Sequence, residues 1–222
     1  MAKLEIASFT VNSARIAQEY GADRVELCAG MDVGGTTPTD ADIQIARDLL
    51  HIKLNVMIRP RGGNFVYSQQ EIQQMKADIL RLKNFGVDGF VFGILNEDDT
   101  VDIKQNKELV DLAHPIPCTF HRAFDEVKAI QSALEAVISC GFHTILTSGC
   151  EPNVDLGLAN LKKLVELAEG RIEIMPGGGL RSSNIAHILQ QSGANYFHSS
   201  AITDGGDTAV GEEVEKLATY LH

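Results

Sequence analysis

The sequence predicts a single (β/α)8 barrel, and three observations carry the prediction. Four segments share one order, a glycine, an apolar residue, a polar residue and then a strand-like run: Gly21-Ala22-Asp23-Arg24, Gly86-Val87-Asp88-Gly89, Gly141-Phe142-His143-Thr144 and Gly193-Ala194-Asn195-Tyr196. Glycine suits the left-handed turn that ends a helix, and the run that follows suits a strand buried on both faces, so each segment reads as an exit from helix to parallel strand. The second observation is spacing. The four glycines lie 65, 55 and 52 residues apart, which is about two strand-plus-helix units each. The third is that four further strand-like runs fill the gaps, which makes eight units of about 28 residues in a chain of 222.

In chain order, the strands are predicted at Leu4 to Ser8, from Arg24 through Cys28, Ile52 to Ile58, from Phe90, Pro117 to His121, from Thr144, Arg171 to Met175 and from Tyr196. Amphipathic helices are predicted over 11–20, 40–50, 69–84, 104–113, 128–140, 155–168, 182–191 and 208–221. Ser68 with Glu71 forms a capping box, and Asp40, Asp125 and Ser182 are expected N-caps. An open doubly wound sheet is the competing architecture, but neither GxGxxG nor a Walker loop follows the first strand. The whole chain, 1–222, is expected to form one barrel domain closed by a helix at about 207–221.

Composition narrows the function. Thirty acidic against nineteen basic residues give a net charge of −11, a field that repels nucleic acid and anionic membrane. Cys28, Cys118, Cys140 and Cys150 are too few and too scattered for a disulfide framework, and no pair makes a CxxC. No signal-peptide pattern or long apolar run appears, so the expected compartment is the cytoplasm.

Chemistry in such barrels sits at the C-terminal ends of the strands. The third strand ends in Arg59-Pro60-Arg61-Gly62-Gly63, the fifth in His121-Arg122-Ala123-Phe124-Asp125, the seventh in Gly177-Gly178-Gly179 and the eighth in His198-Ser199-Ser200. Loops after strands seven and eight commonly bind phosphate through backbone N–H groups and a helix start. Gly177, Gly178, Gly179, Ser199, Ser200, His198, Arg59, Arg61 and Arg122 are therefore the expected anion-binding set. Strand alternation turns Glu5 inward, puts Glu26 with Cys28, aligns Asn55, Met57 and Arg59, and faces Thr119 with His121. His121, Glu26 and Glu5 are the catalytic candidates, because a carboxylate beside an imidazole moves protons near neutral pH.

Arg24-Val25-Glu26-Leu27-Cys28, Gly34-Gly35-Thr36-Thr37-Pro38, Met57-Ile58-Arg59-Pro60-Arg61-Gly62-Gly63, Thr119-Phe120-His121-Arg122-Ala123-Phe124-Asp125, Leu146-Thr147-Ser148-Gly149 and Ile174-Met175-Pro176-Gly177-Gly178-Gly179 together resemble the CutC copper-homeostasis family. The resemblance implies a cytoplasmic barrel, a homo-oligomer (dimer or tetramer), and a role in copper tolerance. Cu(I) needs converging sulfur ligands, and the sequence offers Cys28, with Met57 or Met175 facing the same interior and His121 or His198 nearby. Many family members carry cysteine where this chain has Ala7 or Ser8 on the first strand, and again at Val66, and Asn64 stands where an acidic residue is usual in that family. The expected partner is thus Cu(I) or a small anion. The alternative to a copper protein is a metabolic isomerase, lyase or hydrolase acting on a small phosphorylated or carboxylated substrate.

Overall fold

The computed structural model describes residues 1–222. Eight strands alternate with eight helices: β1 Lys3–Ser8, α1 Val11–Glu19, β2 Arg24–Leu27, α2 Asp40–Leu49, β3 Lys53–Met57, α3 Gln69–Leu82, β4 Gly89–Phe92, α4 Ile103–Ala113, β5 Cys118–Phe120, α5 Ile130–Cys140, β6 Thr144–Thr147, α6 Leu158–Ala168, β7 Glu173–Pro176, α7 Ile185–Ser192, β8 Tyr196–Ser199 and α8 Gly211–Leu221. All strand pairs are parallel, in the order β7-β6-β5-β4-β3-β2-β1-β8. β7 and β8 lie side by side without a ladder, so the barrel closes at a seam rather than a bond row. Gly177 sits at that seam, where a Cβ would come 3.0 Å from the His198 Cβ and 2.5 Å from Leu146 Cδ1.

The four predicted exits are real. Gly21, Gly86, Gly141 and Gly193 have φ of 99°, 70°, 88° and 73°, values that L-residues with a side chain reach only at a cost. Each releases the chain into β2, β4, β6 or β8 within a few residues. The Ser68–Glu71 capping box also forms as expected. The other three caps do not. Thr39, one residue before Asp40, caps α2 through its side chain. α5 starts at Ile130 behind Ala129 with no side-chain cap, and α7 starts at Ile185 behind Asn184. Asp125 and Ser182 make tertiary bonds instead, Asp125 to the loop after β6 and Ser182 to Glu213 of α8.

Alternation divides every strand between two environments. Leu4, Ile6, Val25, Leu27, Leu54, Val56, Phe90, Phe92, Phe120, Ile145 and Phe197 face outward and pack under the helices as the main core, each fully or almost fully buried. The inward positions are matched across the ladders: Glu5 lies opposite Arg24 and His198, Glu26 opposite Ala7 and Asn55, Met57 opposite Val91, and Thr119 opposite Val91 and Thr144. The barrel interior consequently joins a polar set to a small apolar group, Cys28, Met57 and Val91, backed by Phe9, with Leu146 and Met175 on the inward row of β6 and β7. No helix is long and apolar enough to cross a membrane.

Candidate ligand site at the barrel mouth

The interior charges begin with Glu5. Its carboxylate is fully buried and saturated. Oε2 accepts from Arg24 Nε at 2.5 Å and from Asn55 Nδ2 at 3.1 Å, while Oε1 lies 2.8 Å from His198 Nδ1. Burial alone pushes a carboxyl upward, but Arg24 and His198 outweigh it and hold Glu5 down at about 2. Gly89 makes room for this cluster, since a Cβ there would overlap the Asn55 amide. Glu5 was expected as a catalytic group; the structure places it beneath the mouth as the fixed anion that orients His198.

One strand over, Glu26 is treated differently. It is 2% exposed. Its Oε2 lies 3.7 Å from His198 Nε2, beyond hydrogen-bond reach, and its Oε1 has no partner. Burial raises its pKa, the Glu5 charge adds to that, and His198 and Arg24 only partly offset it, leaving Glu26 at about 7. Burial works to lower the His198 pKa, but the bond to Glu5 and the nearby Glu26 raise it above the usual imidazole value. Glu5, Glu26 and His198 thus form one buried group whose ligating atoms lie within 4.8 Å of one another.

Above them opens a cavity of about 290 Å³ lined by Glu26, Cys28, Met57, His121, His198 and Arg181 among others. His121 is 3% exposed and packs against Phe65, the ring centroids 4.8 Å apart and the planes tilted by 58°. Its Nδ1 accepts from the Ala123 backbone N–H at 3.3 Å, and its Nε2 has no partner. An imidazole that accepts at Nδ1 carries its proton on Nε2. Burial, with Arg59 nearby, lowers its pKa to about 3, so it is a neutral donor throughout the physiological range. Burial and the Glu26 charge push the Cys28 thiol well above its usual range.

The predicted arginines separate into two kinds. Arg59 reaches the mouth but is 4% exposed and clamps loops: its guanidinium donates to the Val33, Gly35 and Gly63 carbonyls and stacks on Phe65. Arg61 lies outside the mouth, bonded to Glu71 and to the Gly62, Asn64 and Val66 carbonyls and stacked on Tyr67. Arg122 is at the rim, held by Asp125 at 2.7 Å and Ser148 at 3.1 Å. Gly178 and Gly179 line the cavity, whereas buried Gly177 packs beneath it. At Gly178, with φ of 103°, a Cβ would come 3.1 Å from the Arg122 guanidinium carbon. Ser199 spends its hydroxyl on the Leu180 carbonyl, and Ser200 accepts from Arg181.

With this geometry in place, comparison with known proteins is informative. The CutC family profile matches residues 2–203. The chain belongs to the CutC family. It is 48% identical over 198 residues to the human copper homeostasis protein cutC homolog, covering 89% of this chain and 72% of the human one. It is 43% identical to the family protein CutC of Bacteroides fragilis strain YCH46, covering 89% and 79%. The crystal structure of a copper homeostasis protein CutC from Streptococcus agalactiae superposes with a TM-score of 0.87 at 35% identity, covering 91% of this chain and all of that one.

Two residues that shape this CutC-family mouth escaped sequence reasoning. Arg24 shares the inward row of Glu26 and Cys28, so parity alone was enough to find it as the partner of Glu5 beneath the mouth. Arg181 follows the triple glycine and spans Ser199, Ser200 and the Ile202 carbonyl. Nothing local marks it, because the partners that turn it toward the cavity come from a strand eighteen residues away.

Proposed function

We propose that this protein serves copper homeostasis in the cytoplasm, holding one Cu(I) ion in the barrel mouth on the Cys28 thiolate and the Met57 thioether. The observation that carries the reading is the sulfur pair itself. Cys28 and Met57 pack together in the cavity wall, apart from the main core, and Gly35 leaves space beside both: a Cβ there would lie 3.3 Å from Met57 Cε and 3.6 Å from Cys28 Sγ. Soft sulfur is what Cu(I) selects. Met175 is bonded to Arg24 below the mouth, and the Nε2 proton of His121 makes it a donor rather than a ligand, so the set reduces to these two sulfurs. The names of the human and Streptococcus agalactiae relatives support the copper role. Because burial holds the Cys28 thiol protonated, Cu(I) must displace a proton, and its affinity should rise about tenfold per pH unit. Anaerobic titration against a competing Cu(I) chelator tests this. One equivalent is expected, lost in Cys28→Ser and weakened in Met57→Leu; unchanged affinity in both would remove the reading.

A second reading is favoured by a separate observation, the unpartnered buried atoms Glu26 Oε1 and His121 Nε2. Buried polar groups are nearly always bonded, so two that border one cavity suit an oxygen-rich ligand. Arg122 and Arg181 at the rim supply positive charge for a phosphate or carboxylate. A ligand present at a hundred times its Kd would stabilise the fold by about 2.7 kcal/mol, which thermal unfolding with phosphate and with small dicarboxylates would detect.

A further inference from the structure

We propose that the mouth catalyses a cofactor-free proton transfer at the carbon beside a carbonyl group of a small anionic substrate, with Glu26 as the base and the His121 Nε2–H as the donor to the carbonyl oxygen. The inference rests on the oxyanion reading above and adds the reaction. It goes beyond copper binding, which uses neither atom.

Three features of the molecule converge on this chemistry. A carboxylate base needs an oxygen open to the substrate, and Glu26 has one: Oε1 is buried without a partner in the cavity wall, while Oε2 lies 3.7 Å from His198 Nε2. An enolate forming at the substrate oxygen needs a donor that does not surrender its proton before reaction. A neutral imidazole pinned at Nδ1 by a backbone N–H is such a donor, and the pairing of a carboxylate with a neutral imidazole is an established solution to enolisation. His121 is pinned in this way by Ala123 N–H at the start of the short helical turn 122–126. Finally, the charges around Glu26 are arranged in series. Glu5 is locked by Arg24 and Asn55 and fixes Nδ1 of His198, so the Nε2 edge of the ring is the one turned toward Glu26. His198 is therefore a positioning residue for the Glu26 carboxylate, itself held by Glu5 and, behind it, Arg24 and Asn55.

The step balances without a co-reactant. A Glu26 carboxylate oxygen takes the proton from the carbon beside the carbonyl. The electron pair of that C–H bond forms the C=C bond, and the carbonyl π pair moves to oxygen, where the His121 Nε2–H bonds the negative charge. Return of the proton by Glu26 to the same carbon gives exchange or epimerisation. Return to the neighbouring carbon, with a proton passing between the two oxygens, gives isomerisation. Arg122 and Arg181 at the rim would hold the phosphate or carboxylate end, away from the reacting carbon.

The test is proton NMR in D2O with a panel of short hydroxyaldehyde and hydroxyketone phosphates and their carboxylate counterparts, beside thermal unfolding with inorganic phosphate. The wild-type protein should wash deuterium into at least one member at the carbon beside the carbonyl. Glu26→Gln should cut that rate by about a hundredfold or more, and His121→Asn by about a hundredfold. The exposed α6 variant Lys162→Ala should match wild type. His198→Asn should fold and leave the half-saturation concentration of the exchanging compound unchanged while lowering its maximal exchange rate, because the ring that flanks the Glu26 carboxylate has gone; a purely structural role would worsen both together. Exchange that survives Glu26→Gln overturns the proposal, as does its absence across the panel. In the latter case, phosphate-induced stabilisation that persists leaves the oxyanion reading standing and removes only the chemistry, while its loss removes both.

Discussion

Glu5 and Glu26 are two buried carboxylates on adjacent strands, one bonded to His198 and the other 3.7 Å from it, and the barrel treats them in opposite ways. At Glu5 an arginine, an amide and an imidazole occupy the carboxylate, and the charge stays. At Glu26 one oxygen is unpartnered, and burial pushes the proton back on. The floor of the mouth is thus a finished electrostatic structure, whereas the wall above it holds groups that only a ligand can satisfy. A buried charge with all its partners argues for architecture, and one without them argues for a site.

Removing each group should show this difference, with the largest effect on the floor. Glu5→Ala strands Arg24 and His198 without their anion and should cost about 3 to 5 kcal/mol, read from denaturant unfolding at pH 7. A loss no greater than that of Glu26→Gln would break the comparison. At the wall, Glu26→Gln should instead stabilise the protein at pH 8, by on the order of 1 to 3 kcal/mol, since it removes a carboxyl that must ionise in a buried place. The sign follows from its raised pKa. Between the ordinary value of 4.5 and about 7, the folded state binds a proton that the unfolded state has lost, so stability falls as pH rises through this window. His198, also raised, loses its contribution in the same direction as pH passes upward through its folded value. Glu5 acts the other way, its contribution disappearing as pH falls from 4.5 toward about 2. His121, which burial holds down at about 3, opposes Glu26 and His198 below 6.5, because there the unfolded state binds a proton that the folded state has lost. Wild-type unfolding free energy should therefore decline between about pH 6.5 and pH 8, and Glu26→Gln should reduce the decline.

Smaller effects sharpen the boundary of the site. Gly178→Ala puts a Cβ against Arg122 at a φ of 103° and should cost about 1 to 3 kcal/mol, with weaker phosphate stabilisation because the rim guanidinium must move. Arg61→Met should cost about 1 kcal/mol by loosening the 61–66 loop, since its partner Glu71 is itself partly exposed and the ion pair is screened. Phosphate-induced stabilisation should be unchanged in that variant; a loss would extend the site to Arg61.

Much of this architecture was legible in the chain because its signals are local. The four glycines that exit into even-numbered strands need a positive φ that only glycine adopts cheaply, and a buried parallel strand needs its apolar run whatever surrounds it. Inward placement of Glu5, Glu26, Cys28, Met57, Arg59 and His121 followed from alternation for the same reason. Asp125 shows where local reasoning fails. Its position before a helix suggested a cap, yet its oxygens accept from Thr147, Ser148 and Cys150, because the loop after β6 comes within reach only once the barrel closes. Arg61 fails for a nearer reason: its own loop folds back so that the Gly62, Asn64 and Val66 carbonyls and Glu71 at the start of α3 occupy a guanidinium that looked like an anion grip.

The sequence by itself determined the eight-unit barrel, the face on which each strand residue lies and the membership of the CutC family, since backbone conformation and period-two alternation are properties of short segments. Only the tertiary structure decided which inward groups have partners. Whether Glu26 or Glu5 keeps its charge, whether His121 donates or ligates and which arginine is spent on carbonyls depend on atoms brought together from distant strands, at distances where a few tenths of an ångström separate a bond from none.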